Sequence, residues 1–149
     1  MKKIIWILII SQWLWGGQYT RDSATSIITD HKNRIQWYDN AFVGQNWEGA
    51  INTCEALSVG GYSDWRLPNI NTLVSILNDS IQIDSAIFVN LSIYINAHNL
   101  SRILSSNTDI LYKNYCLTLR YVNNYLYVSK QIKTTTTDSF ICVRDWKGV

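Results

Sequence analysis

The sequence has 149 residues, of which 47% are hydrophobic, 13% are aromatic and 16% are charged. This length suits one domain of ordinary size, and the apolar content is enough for a sizeable core, which argues against an intrinsically disordered chain. No internal repeat is visible, which excludes solenoids and propellers. Thirteen basic and eleven acidic residues give a formal net charge of +2.

The N-terminus has the pattern of a secretory signal peptide. Two lysines precede an apolar run from Ile4 to Trp15, and two glycines follow it. The run is shorter than the roughly 20 residues that a transmembrane helix requires, which makes an uncleaved membrane anchor the alternative rather than the favoured interpretation. We therefore expect a signal peptide over residues 1–17 and a single domain over residues 18–149. The domain would be secreted, periplasmic or displayed at the cell surface.

Removal of that leader changes the charge balance. Because two of the thirteen basic residues lie in it, the mature domain has eleven residues of each sign. A domain without net charge gives no general electrostatic reason to expect binding to nucleic acid or to an anionic membrane. Only a local basic patch could still bind one of them. We therefore expect contact with a membrane only through an uncleaved leader.

Three cysteines, Cys54, Cys116 and Cys142, lie in the predicted mature domain. In an oxidising compartment they permit one disulfide, with three possible pairings, and leave one free thiol. The sequence has no C-x-x-C pair, and only His31 and His98 offer imidazole groups. A structural zinc site is therefore not expected.

The first half of the domain predicts a hairpin and then a helix. Four of residues 25–29 are β-branched, residues 35–38 alternate apolar with polar, and turn-forming residues separate the two segments, which indicates a pair of strands. Apolar residues at helical spacing follow, between an N-cap at Asn46 and a stop at Gly60. This pattern predicts the first helix.

A second helix is predicted directly after a sharp corner. Asn69 is a suitable N-cap, an apolar face follows it, and Asp79 and Ser80 would end the helix. Residues 81–101 are largely apolar but have no clean period. We expect a long loop with short strands there.

The corner between the two predicted helices is the most distinctive stretch of the chain. Its motif consists of Gly61, Tyr62, Asp64, Trp65, Arg66, Leu67 and Pro68. Arg66 could hold a carboxylate or a sulfate bidentately, which would make the corner a binding site. The favoured interpretation is structural. We expect Arg66 to pair with an internal acid, because a buried arginine is normally partnered, and Tyr62 and Trp65 to pack the corner.

The C-terminal third is rich in strand signals and combines tyrosines with basic residues. Residues 115–119 and 125–128 flank a turn at 123–124, and residues 140–144 alternate as a final strand. Tyrosine stacking and charge-assisted hydrogen bonds suit recognition of a polysaccharide or a protein. The ligand-binding residues that we predict on this basis are Arg120, Tyr125, Tyr127, Lys130 and Lys133. The alternative is a solvated strand face above core tyrosines.

Several short motifs occur in a characteristic order along the chain. They are Tyr19-Thr20-Arg21-Asp22, Thr29-Asp30, Ile35-Gln36-Trp37, Trp47-Glu48-x-Ala50-Ile51, Cys54-Glu55-x-Leu57, the corner motif and Cys142-Val143-Arg144. In this order they resemble the Legionella collagen-like protein C-terminal domain family, whose members are secreted or surface-displayed. The resemblance covers nearly all of the predicted mature domain, and the corner motif is its most specific part.

The resemblance implies an α+β fold similar to the C-type lectin-like and formylglycine-generating-enzyme group. Such a fold has two helices packed on a mixed, mostly antiparallel sheet. The resemblance also implies a disulfide between Cys54 in the first helix and Cys142 in the last strand. Members of the family can trimerise, so an oligomer is compatible with the resemblance.

Catalysis and metal binding are not favoured. No serine lies in a nucleophile motif, and neither histidine is placed near a recognisable nucleophile. The Glu-Pro-Asn and Trp-Asn-Asp tracts of calcium-dependent lectins are absent, and solvated loops explain Asp79, Asp84 and Asn90. We therefore expect no enzyme activity, no metal and no cofactor.

The predicted function is that of a non-catalytic binding or adhesion module outside the cell. Its partner would be an extracellular glycan, sulfated by analogy with the family, or an envelope protein. Two alternatives stay open. One is a degenerate enzyme of the formylglycine-generating type, for which Cys116 and Cys142 would both have to be free and reactive. The other is a purely structural subunit of the envelope.

Overall fold

The structure is a computed structural model that describes residues 17–78, 82–98, 102–122, 125–136 and 138–148. Apart from Gly17, the predicted signal peptide lies outside these residues, and so does the predicted turn at 123–124. The side chain of Tyr125 is also outside the described part. Within the described ranges, no helix is long and apolar enough to cross a membrane.

The described chain forms two antiparallel sheets and three short helices. The elements in chain order are β1 (Tyr19–Asp22), β2 (Ile27–Asp30), β3 (Ile35–Phe42), α1 (Trp47–Glu55), α2 (Ile70–Val74), α3 (Val89–His98), β4 (Arg102–Thr108), β5 (Tyr115–Val122), β6 (Tyr125–Ile132) and β7 (Phe140–Asp145). One sheet has the order β1-β2-β3-β7 and the other the order β4-β5-β6. All pairings between these strands are antiparallel. The fold is therefore α+β, as expected, but the described residues form three helices and two antiparallel sheets where two helices on one mixed sheet were expected.

The predicted first hairpin and final strand are confirmed. β2 pairs with β3, and β7 adds to the other side of β3, which makes β3 a central strand of its sheet. Trp37 and Val143, which pair across β3 and β7, are fully buried. The turn is held by Asp30, whose carboxylate accepts hydrogen bonds from the backbone and the side-chain amide of Asn33.

Both predicted helix starts are confirmed. The Asn46 side chain accepts a hydrogen bond from the Gly49 amide, and the Asn69 side chain accepts one from the Thr72 amide, both at 2.8 Å. Each bond satisfies a backbone donor that the first turn of a helix leaves without a partner. Cys54 lies on the buried side of α1.

The predicted end of the second helix is wrong. α2 ends at Val74 and not at Asp79. Beyond that point the amides of Ile76 and Leu77 bond to carbonyls three residues earlier, which tightens the chain into turns. Leu73 and Ile76 are both buried, so this tighter path still supplies the core.

The expectation of a loop with short strands over residues 81–101 is also wrong, because α3 lies there. Its N-terminus is capped from β3: the buried carboxylate of Asp39 accepts hydrogen bonds from the amides of Asn90 and Leu91, each at 2.9 Å. The same carboxylate pairs with Arg21. A cap supplied from fifty residues away leaves no local signal in the helix sequence.

The core has two apolar clusters. One surrounds Trp37, Leu73 and Phe88 and combines side chains of both sheets with those of α2 and α3. The other surrounds the junction of α1 with β7, where Cys54 and Cys142 form the disulfide that the resemblance implied. The disulfide thus ties the first helix to the last strand.

The corner motif attaches the chain to β7. Arg66 exchanges two backbone hydrogen bonds with Val143, at 2.8 and 2.9 Å. The Asp64 carboxylate accepts two hydrogen bonds from the Arg144 guanidinium, at 2.6 and 3.1 Å, and this guanidinium stacks 3.7 Å from the ring centroid of Tyr62. Trp65 is 2% exposed. These contacts give the corner a structural role.

One detail of the corner prediction requires correction. The Arg66 side chain does not meet an internal acid. It pairs at 2.8 Å with Asp145, and the exposed fractions of the two side chains are 39% and 70%. The internal arginine is Arg144 of β7, which is buried and holds Asp64 and Gln36. The exposed ion pair contributes little to stability, because water screens it.

Candidate functional site

The three-stranded sheet carries a row of two arginines and one tyrosine. Arg102 of β4 is directly opposite Arg120 of β5, and Arg120 is directly opposite Tyr127 of β6. Residues that are directly opposite in an antiparallel sheet point to the same face. We call these three residues the arginine row.

Positive charge dominates the arginine row. The Arg120 guanidinium lies 5.9 Å from the ring centroid of Tyr127, which is 43% exposed. The nearby acid is Asp138, whose carboxylate is 3.9 Å from Nη1 of Arg102, a long contact for an ion pair. Burial raises the pKa of Asp138, although Arg102 opposes the shift. Like charges that face each other across strands destabilise a sheet. With two arginines and one acid at 3.9 Å, the row keeps a surplus of positive charge.

The row also has more hydrogen-bond donors than acceptors. Among the residues that the structure describes, the buried Nε atoms of Arg102 and Arg120 have no hydrogen-bond partner, and Oδ2 of Asp138 has none either. Buried polar groups are normally bonded, and an arginine fork fits the two oxygens of a carboxylate or a sulfate. The side chain of Arg102 is 23% exposed, so an anion can approach it from solvent.

The structure brings together only part of the predicted ligand site. Arg120 and Tyr127 are neighbours, whereas Tyr125 has its side chain outside the described part. Arg102 and Asp138 were not predicted. Their place depends on the register of β4 against β5, which a bulge shifts between Leu104 and Thr108, and no local pattern reveals that register.

Lys130 and Lys133 lie away from the row. Lys130 is on the other face of β6, where it pairs at 2.9 Å with Asp109 and lies 5.1 Å from the ring centroid of Tyr112. This contact and backbone hydrogen bonds lower the pKa of Asp109. Lys133 follows β6, donates to Thr108 at 2.7 Å and lies 3.9 Å from the ring centroid of Trp47. It therefore fastens the start of α1 to the second sheet.

Cys116 is a buried thiol in the interior of the second sheet. Its exposed fraction is zero, and its sulfur contacts the carbonyl of Gln131 at 3.5 Å. Burial raises the pKa of this thiol to about 11, with a further contribution from Asp138. Among the residues that the structure describes, no group of three or more His, Cys, Asp or Glu side chains is placed to hold a metal ion.

We expect Cys116 to be unreactive in the folded protein. At pH 8 a thiol whose pKa is about 11 is almost wholly protonated, and its burial excludes reagent. An aromatic disulfide reagent should therefore modify no thiol in native buffer and one thiol per chain in guanidinium chloride. Rapid modification of the native protein would contradict this environment.

Comparison with protein families matches residues 26–144 to the family described as the Lcl C-terminal domain. A search of curated proteins and a search of solved structures found no significant match. The family match covers β2 to the penultimate residue of β7, and so includes the corner motif, both cysteines of the disulfide and the arginine row. The chain therefore belongs to the Lcl C-terminal domain family.

Proposed function

We propose that this domain is an extracellular, non-catalytic binding module whose arginine row holds the anionic groups of a polysaccharide. The observation that carries the proposal is the pair of opposed arginines, whose buried Nε atoms have no acceptor within the described part of the chain. A sulfate or carboxylate oxygen would accept hydrogen bonds from the partly exposed guanidinium groups of these two arginines. Charge-assisted hydrogen bonds of this kind contribute about 1.5–3 kcal/mol each.

Tyr127 gives the row a second way to recognise a sugar. Its ring is 43% exposed and lies beside the Arg120 guanidinium. An aromatic face packs well against the apolar face of a pyranose, while the guanidinium holds a substituent of the same or the next residue. A polymer that repeats the charged unit would gain further from multivalency if the domain is oligomeric.

The proposal places the domain on a C-type lectin-like scaffold that works without calcium. Its support is the covalent tie from α1 to β7 and the pairing of β7 with β3, which returns the end of the fold to the hairpin near its beginning. The predicted leader and the family support a location outside the cytoplasm. In this proposal recognition depends on arginine and not on a metal ion.

The non-catalytic part of the proposal rests on the cysteines. A degenerate enzyme of the formylglycine-generating type would need Cys116 and Cys142 as a reactive pair. Cys142 is bonded to Cys54, and Cys116 is a buried thiol with a raised pKa. A binding role, or a structural role in the envelope, is compatible with both facts.

Polymers that differ only in sulfation test the chemical class of the ligand. We expect the domain to bind immobilised dextran sulfate and not unmodified dextran, with affinity that falls as sodium chloride is raised, because the interaction is electrostatic. Polyglutamate, added as a competitor, tests whether an acidic protein can occupy the same site. Equal binding to both dextrans, or no binding to either, would contradict the proposal.

A further inference from the structure

We propose that the loop between β4 and β5 inserts into a lipid bilayer whose anionic headgroups contact the lysines beside it. The tip of this loop presents Ile110 and Leu111, whose exposed fractions are 85% and 78%, and then Tyr112, which is 58% exposed. Turns of this kind ordinarily carry Gly, Asn, Asp or Ser. Tyr112 still packs edge-on against Tyr115, with ring centroids 6.0 Å apart, but Ile110 and Leu111 leave most of their apolar surface in water, so their position points to a partner.

The loop is braced in the shape that presents this tip. The Asp109 carboxylate accepts hydrogen bonds from the amides of Leu111 and Tyr112, at 3.0 and 2.8 Å. The backbone closes the loop through bonds from Asp109 N to Tyr115 O and from Tyr115 N to Tyr112 O. Insertion would therefore require little further ordering, which is otherwise a major cost of binding.

Cations lie behind the apolar tip. Lys130 pairs with Asp109 and lies 5.1 Å from the ring centroid of Tyr112, so it neutralises the only acid of the loop. Because Lys130 offsets the charge of Asp109, Lys113 gives the loop a net positive charge. Aliphatic side chains at the tip, with tyrosine and lysine behind them, match the order of hydrocarbon, interface and headgroup in a bilayer.

The neighbouring face of β6 continues this surface. Val128 and Ile132, which are 48% and 45% exposed, flank Lys130 on the same side of the strand. An apolar patch interrupted by a cation suits the headgroup boundary, where long basic side chains reach towards phosphate. The patch would therefore lie against the membrane once the tip has entered it.

A bilayer fits this surface better than a second copy of the chain. A stable protein interface needs roughly 800 Å² from each partner, which is more than three side chains at a narrow tip can supply. Lys130 in the middle of β6 also opposes the addition of another strand at that edge. The loop is separate from the arginine row, since Tyr115 and Arg120 are five residues, or roughly 17 Å, apart along β5.

A fluorophore at the tip tests the proposal in the full chain. Leu111→Cys is labelled with an environment-sensitive dye, and the burial of Cys116 keeps the label at one site. The matched control is Ile93→Cys on α3, which is 62% exposed. With vesicles of phosphatidylcholine and phosphatidylglycerol, we expect a blue shift and a several-fold rise in emission at position 111 alone. Both labelled chains keep the N-terminal apolar run, so attachment by that run is equal for the two.

Further measurements decide whether a lipid bilayer or a second copy of the chain occupies the patch. Ile110→Ser in the labelled chain should weaken partitioning by about tenfold, and omission of the anionic lipid should weaken it several-fold. No blue shift at position 111, or equal shifts at both positions, would overturn the proposal. A blue shift that depends on protein concentration in the absence of vesicles would assign the patch to a second copy and would overturn it too.

Discussion

Replacing Asp39 with alanine is expected to lower the free energy of unfolding by about 3–5 kcal/mol. The side chain is fully buried, and its carboxylate binds Arg21 and two amides at the start of α3. Its removal leaves two buried backbone donors without their acceptor and leaves the Arg21 guanidinium without its counter-charge, with the Ile87 carbonyl as its remaining acceptor. Denaturation in urea, followed by circular dichroism, gives the change directly.

The matched control for Asp39 is Asp145→Ala. Asp145 also pairs with an arginine, but its side chain is 70% exposed, so we expect a loss of about 0–1 kcal/mol. Hydrogen exchange at the amides of Asn90 and Leu91 should accelerate in the Asp39 variant and not in the control. If the two variants were equally stable, the capping role of Asp39 would be wrong.

Removing the disulfide with Cys54→Ala and Cys142→Ala is expected to destabilise the domain by about 4 kcal/mol. The two cysteines are 88 positions apart in sequence, so the bond restricts a long loop of the unfolded chain. A typical domain has only about 5–15 kcal/mol of stability, and the double variant should therefore unfold at a much lower urea concentration than the parent.

Cys116→Ala is the control for the disulfide. It removes the third sulfur but keeps the bond, so reductant should still destabilise this variant as it does the parent. Peptide mapping of the parent should find Cys54 joined to Cys142. A link from either cysteine to Cys116, or a loss below about 1 kcal/mol in the double variant, would contradict the arrangement of α1 on β7.

Features with a local cause were predictable from the sequence. Asn46 and Asn69 cap the helices that follow them, and Asp30 holds the hairpin turn with Asn33. In each case a side chain bonds an amide three residues ahead, so a window of a few residues contains the whole interaction. The resemblance added the disulfide, which spacing alone left open among three pairings.

Features with a distant cause were not predictable. The cap of α3 is Asp39 of β3, and the partner of Asp64 is Arg144 on the last strand. Basic residues in the C-terminal third were visible, but strand alternation and the register of β4 decided which of them share a face. Arg120 was therefore identified without Arg102, whereas Lys130, three residues from Tyr127, fell on the opposite face.

The most direct test of the proposed function is the affinity of single arginine variants for dextran sulfate. We expect Arg120→Gln and Arg102→Gln each to weaken binding by about 10- to 100-fold, because each removes a charge-assisted contact of about 1.5–3 kcal/mol. Lys32→Gln, an exposed lysine on the β2–β3 turn of the other sheet, removes the same charge and should have little effect. Isothermal titration calorimetry measures the affinity of variants whose thermal stability is unchanged. The comparison separates the effect of removing a residue of the arginine row from the effect of removing any positive charge. Losses for Arg102 and Arg120 that exceed the loss for Lys32 at least tenfold would support the arginine row, whereas equal affinities for all three variants would contradict it.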